Sequence, residues 1–180
     1  MGTVEPIRKI SDLRKMEKIL KKQNLRNLLI FDIGINCGLR ISDILALNVK
    51  DVKNKNYIQL IEKKTNKKRI IPLNKKLKEI IKNYTKNKND DIPLFTSIFN
   101  NRLDRFFVYK MLNNASKKAK LELKIGTHTL RKTFGYHHYK KFKDIALLQK
   151  IFNHSSCNIT MRYIGIDDDE IFNSYKNFIL

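Results

Sequence analysis

The chain has 180 residues, and its 38 Lys plus Arg outweigh 17 Asp plus Glu to leave a net charge of +21. A small domain so charged repels itself when compact, which makes sense against a polyanion, nucleic acid above all. A hydrophobic content of 42% suffices for one ordinary core, while Cys37 and Cys157 suggest no disulfide framework or zinc site and fit a reduced, cytoplasmic compartment.

At the N-terminus, "MGTVEPIRKI" lacks a signal-peptide core, and Pro6 stands where a lipidation signal requires Ser or Thr. "SDLRKMEKILKK" opens on Ser11, a good cap, and predicts a helix. "LRNLLIFDIGINCG" follows with a broad apolar face of Leu25, Leu28, Leu29, Phe31 and Ile33, and Gly38 is placed to end it. "ISDILALN" predicts a short helix capped by Ser42. The character then changes. "YIQLIE" (57–62) and "RIIPL" (69–73) are β-type runs around the polar turn "KKTNKK". They make one hairpin, in a small sheet expected to include the stretch near Val49 to Val52.

"NKKLKEIIKNY" is again helical, with Asn74 as cap and Leu77, Ile80, Ile81 and Tyr84 on one side; "TKNKNDDIP" is a loop. Helical spacing from Arg102 to Lys120 carries Leu103, Phe106, Phe107, Met111, Leu112, Ala115 and Ala119. Further helices are predicted over "THTLRKTFGYHHYKK", over "DIALLQKIFNH" with Asp144 as cap, and as a short turn over "NITMRYIGI". "DDDEIFNSYKNFIL" forms a last helix, with Asp167 and Glu170 at capping-box spacing. No apolar run reaches the length of a transmembrane helix, and no polybasic run flanks an apolar helix, so a membrane partner is not expected. The whole predicts a mainly α domain with one small antiparallel β-sheet, α+β in class.

His128 and Arg131 fall three apart, on one helix face, where an imidazole and a guanidinium together suit a phosphate. Four further residues stand out. Arg40 follows a helix end in "GLRISDIL", Lys64 sits in the hairpin turn, His154 lies in "FNHSS", and Tyr163 comes nine residues after His154. Each has an ordinary reading taken singly. Arg40 would complement a helix dipole, Lys64 would be a solvated tip, and His154 and Tyr163 would be half-buried amphipathic side chains.

Taken together and in this order, Arg40, Lys64, His128-x-x-Arg131, His154 and Tyr163 resemble the tyrosine recombinase (phage integrase) family. The resemblance runs from about Leu25 to Tyr163, on "GLRISDIL", "IEKKTNKKRIIPL", "HTLRKTF" and "NHSSCNITMRYI". There are departures. Asn153 stands where the family often has Gly, and Asn tolerates a left-handed backbone better than most residues. Lys132 stands where many members have a second His. Members usually carry an N-terminal core-binding domain, and no such domain is seen before the match. The expectation is therefore one catalytic domain over 1–180, with a lead-in helix in 1–23 and a tail helix in 167–180, either free-standing or a fragment.

The resemblance implies a DNA breaking–rejoining chemistry without a metal or other cofactor, and the chain has no carboxylate cluster suited to Mg²⁺. Arg40 and Arg131 would hold the non-bridging phosphate oxygens. Tyr163 would be the nucleophile, forming a 3′-phosphotyrosyl bond, with His128 as general base. Lys64 would protonate the 5′-oxygen, with Lys63 as the competing assignment, and His154 would donate a hydrogen bond to the phosphate. Asp43 would hold Arg40 or its local turn. Lys132, Lys140 and Lys141 read either as backbone-phosphate contacts or as a solvated face, and His137 and His138 as structural. The implied function is integration or excision of a mobile element. The alternatives are type IB topoisomerase-like relaxation and a non-catalytic basic DNA-binding module. The implied partners are double-stranded DNA and further copies of the chain, a tetramer on DNA from a monomer when free. The tail either docks on a neighbouring protomer or packs on its own domain.

Overall fold

The computed structural model describes residues 4–64, 66–166, 172 and 175–179. Among them run α1 (Ile10–Gln23), α2 (Leu25–Cys37), α3 (Ile41–Ala46), β1 (Tyr57–Ile61), β2 (Lys68–Pro72), α4 (Lys75–Thr85), α5 (Arg105–Lys118), α6 (Thr127–Phe142), α7 (Ile145–Phe152) and α8 (Cys157–Ile164). The expected class holds: mostly helix with a two-stranded antiparallel sheet, Tyr57 pairing with Pro72 and Ile61 with Lys68. No helix among the described residues is long and apolar enough to cross a membrane.

Helix α2 is the central rod. It is buried from Asn27 to Gly34, and α1, α4 and α6 pack around it. An unbroken buried stretch in a helix means neighbours on all sides, which an apolar "LLIFDIGI" permits and a striped helix does not. Asn24 caps it, accepting from the Asn27 N–H at 2.9 Å. Gly38 ends it at φ +62, a left-handed turn that costs glycine least. A second small cluster gathers Tyr139, Leu148, Phe152, Ile164 and Ile166 under α6, α7 and α8. Gly135 makes it possible: a Cβ there would sit 2.6 Å from Ile164 and 2.7 Å from Phe152, so only glycine lets α6 approach both.

Several local expectations are corrected. Ser11 lies inside α1, whose N-cap is Lys9, and Ser42 lies inside α3, whose N-cap is Arg40; neither side chain caps its helix. Val49–Asp51 forms a 3₁₀ turn rather than a strand, closed by an Asn48–Asp51 capping box. Two polar side chains that serve each other's backbone at that spacing win over the β-propensity of valine. The fifth helix starts at Arg105, with Asp104 accepting from the Phe107 N–H. Arg102 instead donates to the carbonyls of Leu45 and Leu47, at 2.6 and 3.0 Å, tying the loop to the end of α3. The caps at Asn74 and Asp144 are as expected. The tail helix and its Asp167–Glu170 capping box fall outside the described residues; Phe172, Tyr175, Phe178 and Ile179 are described and exposed.

Candidate active site

The site is assembled where the C-terminal end of α2, the hairpin base and helices α6 to α8 meet. Arg40 stands just past the Gly38 turn in extended backbone. Its Nη1 donates to Glu62 Oε2 at 2.9 Å. Glu62 is 1% exposed, and its other oxygen accepts from Arg69 at 3.3 Å. Arg69 also donates to the Ile151 carbonyl at the end of α7. One buried carboxylate thus joins two cations, which is how a buried charge is tolerated.

Glu62 was not singled out in the sequence, where it reads as the polar end of an alternating strand. The expectation for Asp43 is corrected. Its buried carboxylate does not bind the Arg40 side chain; Oδ1 accepts from the Lys63 backbone N–H at 3.0 Å. Asp43 therefore anchors the hairpin at the start of its polar turn.

Helix α6 sets Arg131 deep and His128 one turn earlier at the exposed rim of the same face. Arg131 is 3% exposed; it donates to the Gly38 carbonyl and, at 3.0 Å, to the Phe152 carbonyl. Its guanidinium lies 4.4 Å from the Phe152 ring centroid. These bonds occupy part of a five-donor fork and set its plane, leaving other N–H groups for a ligand. Burial, with Arg40 nearby, pushes its pKa down to about 10, still a full cation at neutral pH. Ile151 and Phe152 both lie in the last turn of α7, so its negative end receives two guanidinium groups.

Helix α8 brings Tyr163 against this cluster. Its Oη is 3.4 Å from His128 Nδ1, a long contact of the kind that tightens on substrate binding. Burial pushes the phenol above its ordinary value, and Arg131 and Arg40 pull part of that rise back. The pKa of His128 is lowered, first by desolvation and then by Arg105, Arg131, Lys132 and Arg40, which favours the neutral ring that can take a proton. His154 packs edge-on to Tyr163 with centroids 5.1 Å apart. Its pKa too is lowered by desolvation and by the two arginines. Lys132 stands 5.3 Å from the Tyr163 ring centroid.

Arg40, Lys64, His128, Arg131, His154 and Tyr163 all line one open cavity of about 310 Å³, with Asn153. Lys64 lines it and Lys63 does not. Asn153 holds the left-handed conformation expected of it, φ 52 and ψ 48, and its side chain accepts from Lys67 of the hairpin at 2.6 Å. The two histidines read as structural are so placed: His137 Nε2 is 2.9 Å from the Ile7 carbonyl, and His138 lies tilted between the rings of Phe134 and Phe142. The cavity sets cations around a neutral imidazole and a phenol. That arrangement can hold one phosphodiester and offer it a nucleophile with a base alongside.

The fold is that of the tyrosine recombinases, enzymes that break and rejoin DNA. Residues 8–170 match the phage integrase family, and the chain belongs to it. It is 48% identical over 179 residues to the probable integrase/recombinase YoeC of Bacillus subtilis (strain 168), covering 99% of this chain and 98% of that protein. It is 28% identical over 160 residues to tyrosine recombinase XerC of Thermodesulfovibrio yellowstonii, covering 83% of this chain and 53% of that one. The chain thus spans nearly all of one relative and about half of the other. Among solved structures it resembles XerA recombinase, with a TM-score of 0.77 at 22% identity over 97% of this chain and 65% of that one. It also resembles the catalytic domain of bacteriophage HP1 integrase, with a TM-score of 0.68 at 24% identity over 97% and 95%. At those identities the two likenesses speak for the fold alone.

Proposed function

We propose that the chain is a site-specific DNA recombinase that integrates or excises a mobile element in the cytoplasm through a 3′-phosphotyrosyl intermediate. One observation carries the reading: a phenol, an imidazole 3.4 Å from it and two buried or half-buried guanidinium groups line a single cavity. Arg40 and Arg131 bind the non-bridging oxygens of the scissile phosphate, and donors held in place before reaction each lower the barrier by roughly 3–4 kcal/mol. Tyr163 Oη attacks phosphorus, its proton passes to His128, and the bond to O5′ breaks. Lys64 protonates O5′, and His154 donates to a phosphate oxygen. The phosphotyrosine keeps the bond energy, so a 5′-hydroxyl of another strand reverses the step without ATP.

The same reading assigns double-stranded DNA as the partner, gripped by phosphate contacts from many lysines, and a tetramer on paired sites. The exposed Phe172, Tyr175, Phe178 and Ile179 supply the surface for docking in trans. The chain as given acts as a catalytic domain with a lead-in helix and a tail.

The test is incubation of the chain with supercoiled and site-bearing DNA in EDTA, followed by denaturing gels for covalent protein–DNA adducts. Wild type should form adducts and recombinant products. Tyr163→Phe should form none while binding DNA nearly as well, because affinity comes from dispersed phosphate contacts. Adducts from the Phe variant would move the nucleophile elsewhere, with Tyr175 next to be tried. Relaxation of supercoils without recombinants would favour a topoisomerase.

A further inference from the structure

Thr160 lies against the Nδ1 edge of His154, a residue that lines the cavity. It is fully buried in α8. Its Oγ1 lies 3.1 Å from His154 Nδ1 and 3.1 Å from the Ser156 carbonyl. A hydroxyl has one proton, so it can donate to only one of them at a time. If it donates to Ser156, it accepts from the ring. His154 then carries its proton on Nδ1, and Nε2 faces the cavity as an acceptor. If it donates to Nδ1, the ring proton sits on Nε2, which becomes a donor.

Both states keep the ring neutral and both satisfy the buried groups. Ser156 is not left unpaired in the second, because its carbonyl also accepts the Thr160 backbone N–H at 3.3 Å. What differs is the edge shown to the cavity, so charge in the cavity chooses. Arg40 and Arg131 line it and favour a bare Nε2 lone pair. A phosphate between them reverses the preference and favours an N–H.

We propose that Thr160 is a positioning residue whose hydroxyl rotates from Ser156 to His154 Nδ1 when a phosphate enters, so that the neutral ring moves its proton from Nδ1 to Nε2 and becomes a donor. The inference rests on the reading of the cavity as a phosphodiester site. The proton balance is closed: one proton leaves Nδ1 to water and one reaches Nε2 from water, with no net uptake. A histidine held with its proton on Nδ1 could donate only as an imidazolium, beside two guanidinium groups. Rotation of one hydroxyl avoids that added charge.

The experiment uses the full chain labelled with ¹⁵N-histidine, at pH 8, with and without inorganic phosphate as the probe. Ring nitrogen shifts separate the Nδ1–H, Nε2–H and imidazolium forms. Wild-type His154 should be Nδ1–H alone and Nε2–H with phosphate. Thr160→Val, which keeps the shape and loses the hydroxyl, should show one tautomer in both conditions, and Thr160→Ser should restore the change. In single-turnover cleavage the Val variant should be about tenfold slower with DNA affinity unchanged, and the Ser variant within about twofold of wild type. A wild-type His154 that keeps its tautomer, or becomes imidazolium, while His128 responds to phosphate overturns the proposal and leaves the site reading standing. If neither histidine responds to phosphate, both fall.

Discussion

Glu62 Oε2 accepts from Arg40 Nη1 at 2.9 Å, and the same buried carboxylate accepts from Arg69. The contact joins the residue just after β1 to the N-cap of α3, across a gap of 22 positions in sequence. It leaves Arg40 partly neutralised and fixed in direction before any DNA arrives, which is the condition for a preorganised phosphate site.

Glu62→Gln should slow single-turnover cleavage by at least about tenfold, which corresponds to roughly 1.4 kcal/mol of barrier, with little change in DNA affinity. If Glu62 acts through Arg40, the double variant with Arg40→Ala should be no slower than Arg40→Ala alone. Additive losses would show that the carboxylate acts elsewhere.

Arg131→Lys should cost orders of magnitude in cleavage. A single ammonium cannot reach the carbonyls of Gly38 and Phe152, keep the stack on the Phe152 ring and present a fork to the phosphate at once. Carbonyls left unpaired should also lower stability by about 1–3 kcal/mol, read as a drop in Tm. A rate within threefold of wild type would contradict the assignment.

The acid limb of the pH profile should belong to His128. Its base form is populated above its pKa, so kcat/KM should rise with pH and level off. Desolvation and the surrounding cations lower that pKa, so the midpoint should fall below the ordinary histidine value of about 6.5. His128→Ala should remove most of the activity and flatten what remains of the limb. A midpoint above that value in the wild type would mean that another group sets it.

Truncation after Ile166 keeps the buried Ile164 and Ile166 and removes the exposed apolar Phe172, Tyr175, Phe178 and Ile179. With docking in trans, sedimentation should show loss of higher-order complexes on DNA while a single site is still cleaved. Unchanged assembly, or an insoluble truncated chain, would point to a tail that completes its own domain.

Much was legible from the chain alone, and for local reasons. The helices announced themselves by periodicity and by Asn74 and Asp144 as caps, the hairpin by two β-type runs around a polar turn, and the DNA partner by a net charge of +21. The cavity residues could be singled out because their order and intervals resemble those of a known family, although each has an ordinary reading by itself. What only the tertiary structure decided is who holds them. Glu62 looks like a solvated strand end until the hairpin folds back and buries it between Arg40 and Arg69. Asp43, close to Arg40 in sequence, turns to the Lys63 backbone instead. Thr160 looks like any helical threonine until α8 sets its hydroxyl between a carbonyl and an imidazole. Spacing along one helix records which side chains share a face, because that geometry repeats every few residues. A partner brought in from another element leaves no such mark, since its place depends on how the whole chain packs.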